Sequence, residues 1–178
     1  MNRKIKIIGV GLVVLLFSLC TLKKKKIGTD ELYDKYGGAL VIFGNKKYYT
    51  YPTKLKNEEI RKTSVNDYEY VSRLFEDESK VPISISIQLK DNSLKVQVPY
   101  ILSDYPSSNY LNIGCFTTSS TQQGTLVITQ REDNWIEGYF NANLVCAQTV
   151  IVDYGTGKDT IYYYYSTASG KFKLYVVE

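Results

Sequence analysis

Three carboxylates, Glu132, Asp133 and Glu137, crowd the short stretch "REDNWIEGYF". Two carboxyl groups at a suitable separation are all that a glycoside hydrolase asks of its side chains, one as acid and the other as base or nucleophile. A carbohydrate-active carboxylate pair is therefore one reading of these acids. The other is solvation, because surface turns collect acidic residues. The chain has no histidine, which removes Ser-His-Asp and Cys-His catalysis and the commonest metal ligand together. It has no Gly-x-Ser-x-Gly, no Ser-x-x-Lys and no Asp-x-Asp-x-Asp-Gly calcium loop. "GTGK" (155–158) lacks the spacing and the following Ser or Thr of a phosphate loop and reads as a hairpin turn. A non-enzymatic chain with no cofactor and no metal is the expectation.

Aromatic residues offer a different chemistry. Tyrosine occurs 17 times, too often for every ring to be an incidental core filler. Strand alternation puts Trp135 and Tyr139 on one face of a strand, opposite Ile136 and Phe140, and in "TIYYYYST" it separates Tyr162 and Tyr164 from Tyr163 and Tyr165. Ile161 assigns Tyr163 and Tyr165 to the inside, so Trp135, Tyr139, Tyr162 and Tyr164 are the candidate exposed surface. Such a platform stacks on sugar rings or anchors a protein partner. The competing reading is that the tyrosines fill the margin of a β domain, ring inside and hydroxyl wet.

The three cysteines divide by context. Cys115 in "YLNIGCF" shares a strand face with Leu111 and Ile113, and Cys146 in "NANLVCA" shares one with Ala142 and Leu144. Both are expected to point toward the core, as a disulfide or as two buried thiols, with pairing favoured in an exported chain. Cys20 stands elsewhere. Arg3, Lys4 and Lys6 precede an uncharged, almost wholly apolar run from Ile7, and Cys20 follows Leu19. Extended to Leu22, that run of 16 residues makes a helix of roughly 24 Å, short of the ~30 Å hydrocarbon core of a bilayer. A cleaved export signal fits it better than a spanning helix, with an uncleaved anchor and plain secretion as alternatives.

The segment ending "LLFSLC" resembles a bacterial lipoprotein signal, in which cleavage before the cysteine leaves a thiol that carries diacylglycerol. Lipidation of Cys20 is what the resemblance implies. Lys23, Lys24, Lys25 and Lys26 would then supply the second, electrostatic signal that stable anchoring needs beyond an acyl chain, at about 1 kcal/mol per lysine near an anionic surface. Localisation is expected at a bacterial cell envelope, membrane-anchored and facing the periplasm or the cell surface.

Net charge supports one exclusion. Seven of the 22 basic residues precede position 27, leaving 15 against 18 acidic residues in the remainder. A body near −3 has no basic stripe to neutralise phosphate, and nucleic acid is not an expected partner.

The elements that must position these residues read as strands. "VPISISIQLK" alternates Ile83, Ile85, Ile87 and Leu89 against Ser84, Ser86 and Gln88. "DNS" turns the chain and "LKVQV" returns it with Leu94, Val96 and Val98 inward. "GTLVIT" and "WIEGYFNANLVC" form a hairpin with its turn at Arg131 to Asn134. "TVIVDY", "TIYYYYST" and "FKLYVV" follow, with turns at "GTGKD" and "ASGK". "GALVIF" and "KKYYTY" are further strands upstream. Residues 64–77 are the helical candidate, with Ser64 as cap and Val65, Tyr68, Val71, Leu74 and Phe75 on one face, although Tyr68, Tyr70 and Leu74 also alternate as a strand would. Mid-strand Gly138 leaves room for a ring or another element, with Phe140 and Phe172 as core plugs. The fold class is mainly β, an antiparallel sandwich or barrel with at most one or two short helices behind an N-terminal hydrophobic helix. The division is 1–19 signal peptide or signal anchor, 20–32 lipid-anchor cysteine and polybasic tether, and 33–178 a single β domain.

The pattern "GTLVIT…IEGYFNA…SGKF" resembles a family of small Bacteroidota-type envelope lipoprotein domains of unknown function. Gly124, Ile128, Thr129, Gly138, Phe140, Gly170, Lys171 and Phe172 carry the likeness over the last third of the chain. It implies a β-rich envelope lipoprotein and brings no catalytic residues with it. A glycan or an envelope protein is the partner class, beside the membrane itself.

Overall fold

A computed structural model describes residues 29–50, 56–76, 80–91, 93–104, 106–151 and 159–178. One short helix, α1 (Thr29–Tyr36), precedes eleven strands: β1 (Gly38–Phe43), β2 (Lys46–Thr50), β3 (Glu59–Ser64), β4 (Asp67–Phe75), β5 (Ile83–Lys90), β6 (Pro99–Leu102), β7 (Tyr110–Ile113), β8 (Phe116–Thr117), β9 (Gly124–Glu132), β10 (Trp135–Ile151) and β11 (Asp159–Val177). All eleven belong to one sheet. The mainly β expectation holds. The N-terminal hydrophobic helix lies outside the described residues.

Pairing between the named strands is antiparallel except where the end of β11 runs parallel to β3, and an isolated parallel bridge joins Val96 to Ile128. The pairing also closes on itself. From β11 the ladders pass through β3, β4, β5, β7, β8 and β10 and return to β11. A sheet whose ladders return to their start leaves few edges and one enclosed face. That face holds the core. Ile85, Ile87 and Leu89 of β5 are buried at every second residue, as are Tyr68 and Tyr70 of β4, and Leu126 and Ile128 of β9; Leu74 of β4 is buried on the same face.

Turn chemistry is local. Gly44 and Asn45 join β1 to β2 with φ of 54° and 67°, the doubly left-handed geometry that suits the right-handed twist of a two-residue hairpin. Asp133, with φ 50°, does the same work between β9 and β10, where Glu132 faces Trp135.

Three expectations about elements are corrected. Of the helical candidate 64–77, the described residues 64–76 form no helix; β4 occupies their centre and leaves Val71 exposed, with Val65 exposed in the turn before it. Both 3.6- and 2-residue periods fitted the apolar pattern, and flanking strands β3 and β5 offered ladders on both sides, so pairing decided it. "LKVQV" is a loop: Leu94 and Gln97 have φ of 47° and 60°. Leu94 is buried, while Val96 and Val98 are exposed. Tyr100 Oη fixes this loop, accepting from Lys95 N and donating to Asp91 Oδ2, each at 2.5 Å. "ASGK" is no turn either, because β11 runs through it without interruption. The "GTGK" turn lies outside the described residues.

The continuity of β11 rests on two cross-strand pairs. Gly138 of β10 faces Phe172 of β11, and Phe140 of β10 faces Gly170 of β11. Each ring lies on the glycine opposite it: a methyl group at Gly138 would stand 2.5 Å from Phe172 Cζ, and one at Gly170 would stand 2.8 Å from Phe140 Cζ. Both rings are 2 % exposed, and no other residue type leaves that space. The Gly138→Ala variant is therefore expected to lose about 1–3 kcal/mol of folding stability through overpacking. Urea unfolding followed by near-ultraviolet circular dichroism checks it, and an unchanged midpoint would show that both the Phe172 ring and the still nearer backbone carbonyl of Val127 give way freely.

Candidate functional site

Along β10 the even-numbered residues Ile136, Phe140, Ala142, Leu144 and Cys146 are buried, which leaves Trp135, Glu137 and Tyr139 on the outer face. Tyr175, Lys173 and Lys171 of β11 stand directly across from them. The Trp135 ring meets the Tyr175 ring edge-on, centroids 5.3 Å apart. Lys173 Nζ lies 5.5 Å from the Trp135 centroid, 3.4 Å from Glu137 Oε1, and donates to the Asp34 carbonyl at 3.2 Å. One ammonium thus joins an indole, a carboxylate and the end of α1.

Helix α1 lies on this face. Gly37, with φ 77°, ends it, its N–H donating to the Tyr33 carbonyl at 2.9 Å. A side chain at Gly37 would meet Trp135 Cζ3 at 2.8 Å, so the left-handed cap also lets the helix seat on the indole. One turn back, Lys171 Nζ lies 4.9 Å from the Tyr33 ring. The Tyr33 hydroxyl is held well above the usual phenol range, first by burial, then by Glu137 and Asp34.

Beside Trp135 an open cleft of about 210 Å³ is lined by Asp34, Lys35, Gln130, Glu132, Asp133, Glu137 and Lys173. The three acids singled out from sequence thus share one cleft, joined by Asp34 and two lysines. Glu132 Oε2 accepts from Gln130 at 3.2 Å, and Glu137 is engaged by Lys173. Among the described residues no cluster of acids and cysteines is arranged to hold a metal ion.

The four rings of the candidate surface do not share a face. Register sets Tyr163 across from Ala147 and Tyr165 across from Val145, on the side of Trp135 and Tyr139. Tyr162 and Tyr164 stand across from Gln148 and Cys146, on the side that becomes the core face at Ala168 and Phe172. The inward assignment of Ile161 fails: it is 52 % exposed. Parity carried back from Phe172 through Ala168 gives the correct faces, and the turn assumed at "ASGK" broke that count.

The structure reveals instead a free ribbon. Ladders from β1 reach β11 only as far as Ala168, and those from β9 and β8 reach β10 only as far as Ala142 and Val145. Beyond these points, among the described residues, Cys146–Ile151 pair with Asp159–Tyr164 alone. Tyr162, Tyr163, Tyr164 and Tyr165 are 47–65 % exposed, two on each face. Between 146 and 151, and between 160 and 167, no side chain is charged. Tyr68 and Tyr70 follow the marginal pattern: both are buried, their hydroxyls bonded to Glu178 and Glu58.

A disulfide, Cys115–Cys146, marks the root of the ribbon, with Cα atoms 5.4 Å apart. Pairing was expected, but the shared inward orientation was not met. Cys146 is buried, whereas Cys115 is exposed in the two-residue turn between β7 and β8, where Gly114 has φ 62°. A turn suspends strand alternation, so the face of Leu111 and Ile113 says nothing about Cys115. Cys20 and Lys23 to Lys26 lie outside the described residues.

Thiol counting on the denatured, non-reduced chain should find neither Cys115 nor Cys146 reactive. Their sequence separation of 31 sets an entropic stabilisation of about 3–4 kcal/mol. Cys115→Ser should lose a comparable amount in urea unfolding, and equal stability with and without reductant would contradict the bridge.

No family model matches the chain, and comparison with characterised proteins and with solved structures gives no match either.

Proposed function

We propose that this chain is a non-enzymatic cell-envelope lipoprotein, exported and anchored through Cys20, whose β domain works as a contact module. The closed ladder circuit supports a barrel rather than an open sandwich for that domain. The observation that carries the contact reading is the tyrosine-rich ribbon standing clear of the sheet. Exposed apolar side chains scattered singly need no explanation, but five on a two-stranded projection do. An aromatic ring buries much area at little conformational cost, so a contact made there would draw its energy from a few rings. The resemblance to envelope lipoprotein domains and the basic, apolar and cysteine order of residues 3–20 support the location.

The second reading, a carbohydrate-active hydrolase, is favoured by one observation: Glu132, Asp133 and Glu137 line the same cleft as Trp135. Against it, Glu137 is engaged by Lys173 at 3.4 Å rather than turned free into the cleft. Release of reducing ends from envelope polysaccharide that disappears in Glu132→Gln and Glu137→Gln would establish the hydrolase.

The anchor has its own test. Cells given an alkyne fatty acid should label the wild-type protein, and Cys20→Ala should abolish the label and shift processed protein out of the membrane fraction. An intact mass equal to the unmodified chain would replace lipidation by an uncleaved signal anchor.

A further inference from the structure

The tyrosine ribbon has aromatic rings on both faces, and that restricts what can cover it. A glycan or a globular partner lies against one face of a two-stranded projection and leaves the other wet. A strand added at either edge covers backbone and leaves both faces as they were. A bilayer interface surrounds the ribbon. Tyrosine is among the residues concentrated there, ring toward the acyl region and hydroxyl among headgroups. Charge, the feature most costly to immerse, is absent from 146–151 and 160–167, and the one charged residue of the described ribbon, Asp159, pairs with Ile151 at its far end, where a carboxylate must stay among hydrated headgroups.

The direction of α1 supplies the second argument. Its C-terminal cap at Gly37 sits on Trp135, at the start of β10, while Tyr33 lies by Lys171, across from Tyr139. The helix thus runs opposite to β10, and its first residue, Thr29, lies at the end nearer the ribbon. Four residues of helix advance about 6 Å, which brings Thr29 level with about Asn141. From there to Thr149, which faces Ile161, is roughly 26 Å along the strand. The nine links from Cys20 to Thr29 span at most about 30 Å. An anchor at Cys20 and the tyrosines of the ribbon can therefore reach one membrane plane.

From this placement we infer that the distal β10–β11 ribbon is a membrane-interface element, immersing Ile161 and Tyr162 to Tyr165 among lipid headgroups beside the anchored N-terminus. The inference rests on the anchored reading above. Depth follows from the backbone. Among the described residues both ribbon edges lack strand partners beyond Val145 and before Thr167, and open edges are not tolerated in hydrocarbon. The ribbon stops at the hydrated interface, and its seat fixes which side of the domain, including the Trp135 cleft, is turned away from the membrane.

Full-length protein in phosphatidylcholine–phosphatidylglycerol vesicles tests this, with tryptophan introduced as Tyr163→Trp or Tyr162→Trp in a Trp135→Phe background. Lipid brominated near the headgroup end of its chains should quench the new tryptophan on either face, and lipid brominated deep in the chains should quench it much less. Trp135 in the unaltered protein should be quenched by neither. A chain that floats with vesicles but shows no quenching at 162 or 163 overturns the inference and leaves the anchor standing. Quenching at one position only also overturns it, in favour of a one-sided partner. Flotation and quenching retained in Cys20→Ala would uphold the ribbon and remove the lipid, whereas a wild-type chain that never floats overturns both. Circular dichroism of each variant in solution, matching wild type, excludes unfolding as the source of any exposure to lipid.

Discussion

Two phenylalanines lying across two glycines hold the centre of this protein. Phe172 covers Gly138 and Phe140 covers Gly170, each pair directly opposed on β10 and β11. The arrangement is reciprocal, so each strand contributes one ring and one gap. Large side chains at all four positions would force the strands apart, and small ones would leave a cavity. The same stretch of β11 also pairs with β1, and a few residues on, Tyr175 to Val177 pair with β3 and close the ladder circuit. Everything positioned by the sheet, from the cleft at Trp135 to the ribbon beyond Cys146, inherits its place from this junction.

One hairpin serves two environments. Near the junction, alternate residues of β10 and β11 are core on one face, and on the other they carry α1 and the Lys173 bridge between Glu137 and Asp34. Farther out the neighbours end and the same alternation presents tyrosine to both sides. The disulfide to Cys115 pins the changeover, where two strands without flanking support would otherwise be marginal. The braced root leaves four tyrosines standing clear on two faces.

Alternation within a strand was readable wherever the strand was unbroken. Ile85, Ile87 and Leu89 needed no more than period two, and Gly138 announced the ring that fills its space. The failures came at breaks. Residues 64–77 satisfied two periods, and only the ladders to β3 and β5 chose between them. Ser169 and Gly170 resembled a turn because both residue types favour turns, yet β1 and β10 pair with them on either side and hold them extended. That misplaced turn sent the four rings to one surface when strand parity divides them. α1 escaped notice because its short sequence "TDELYDKY" carries too little apolar character to stand out.

What the sequence by itself determined was local chemistry: no histidine to catalyse with, a strand-rich body, and two cysteines competent to pair. These follow from residue type and spacing over a few positions, where the physics is short-ranged. Tertiary structure alone decided that Glu132, Asp133, Glu137 and Asp34 share a cleft, that Lys173 occupies Glu137, and that four tyrosines stand free on two faces. Exposure is a property of what lies across from a residue. For Tyr162 to Tyr165 that was settled by where β1, β8 and β9 stop pairing, and ladder lengths are fixed by contacts between segments far apart in the chain.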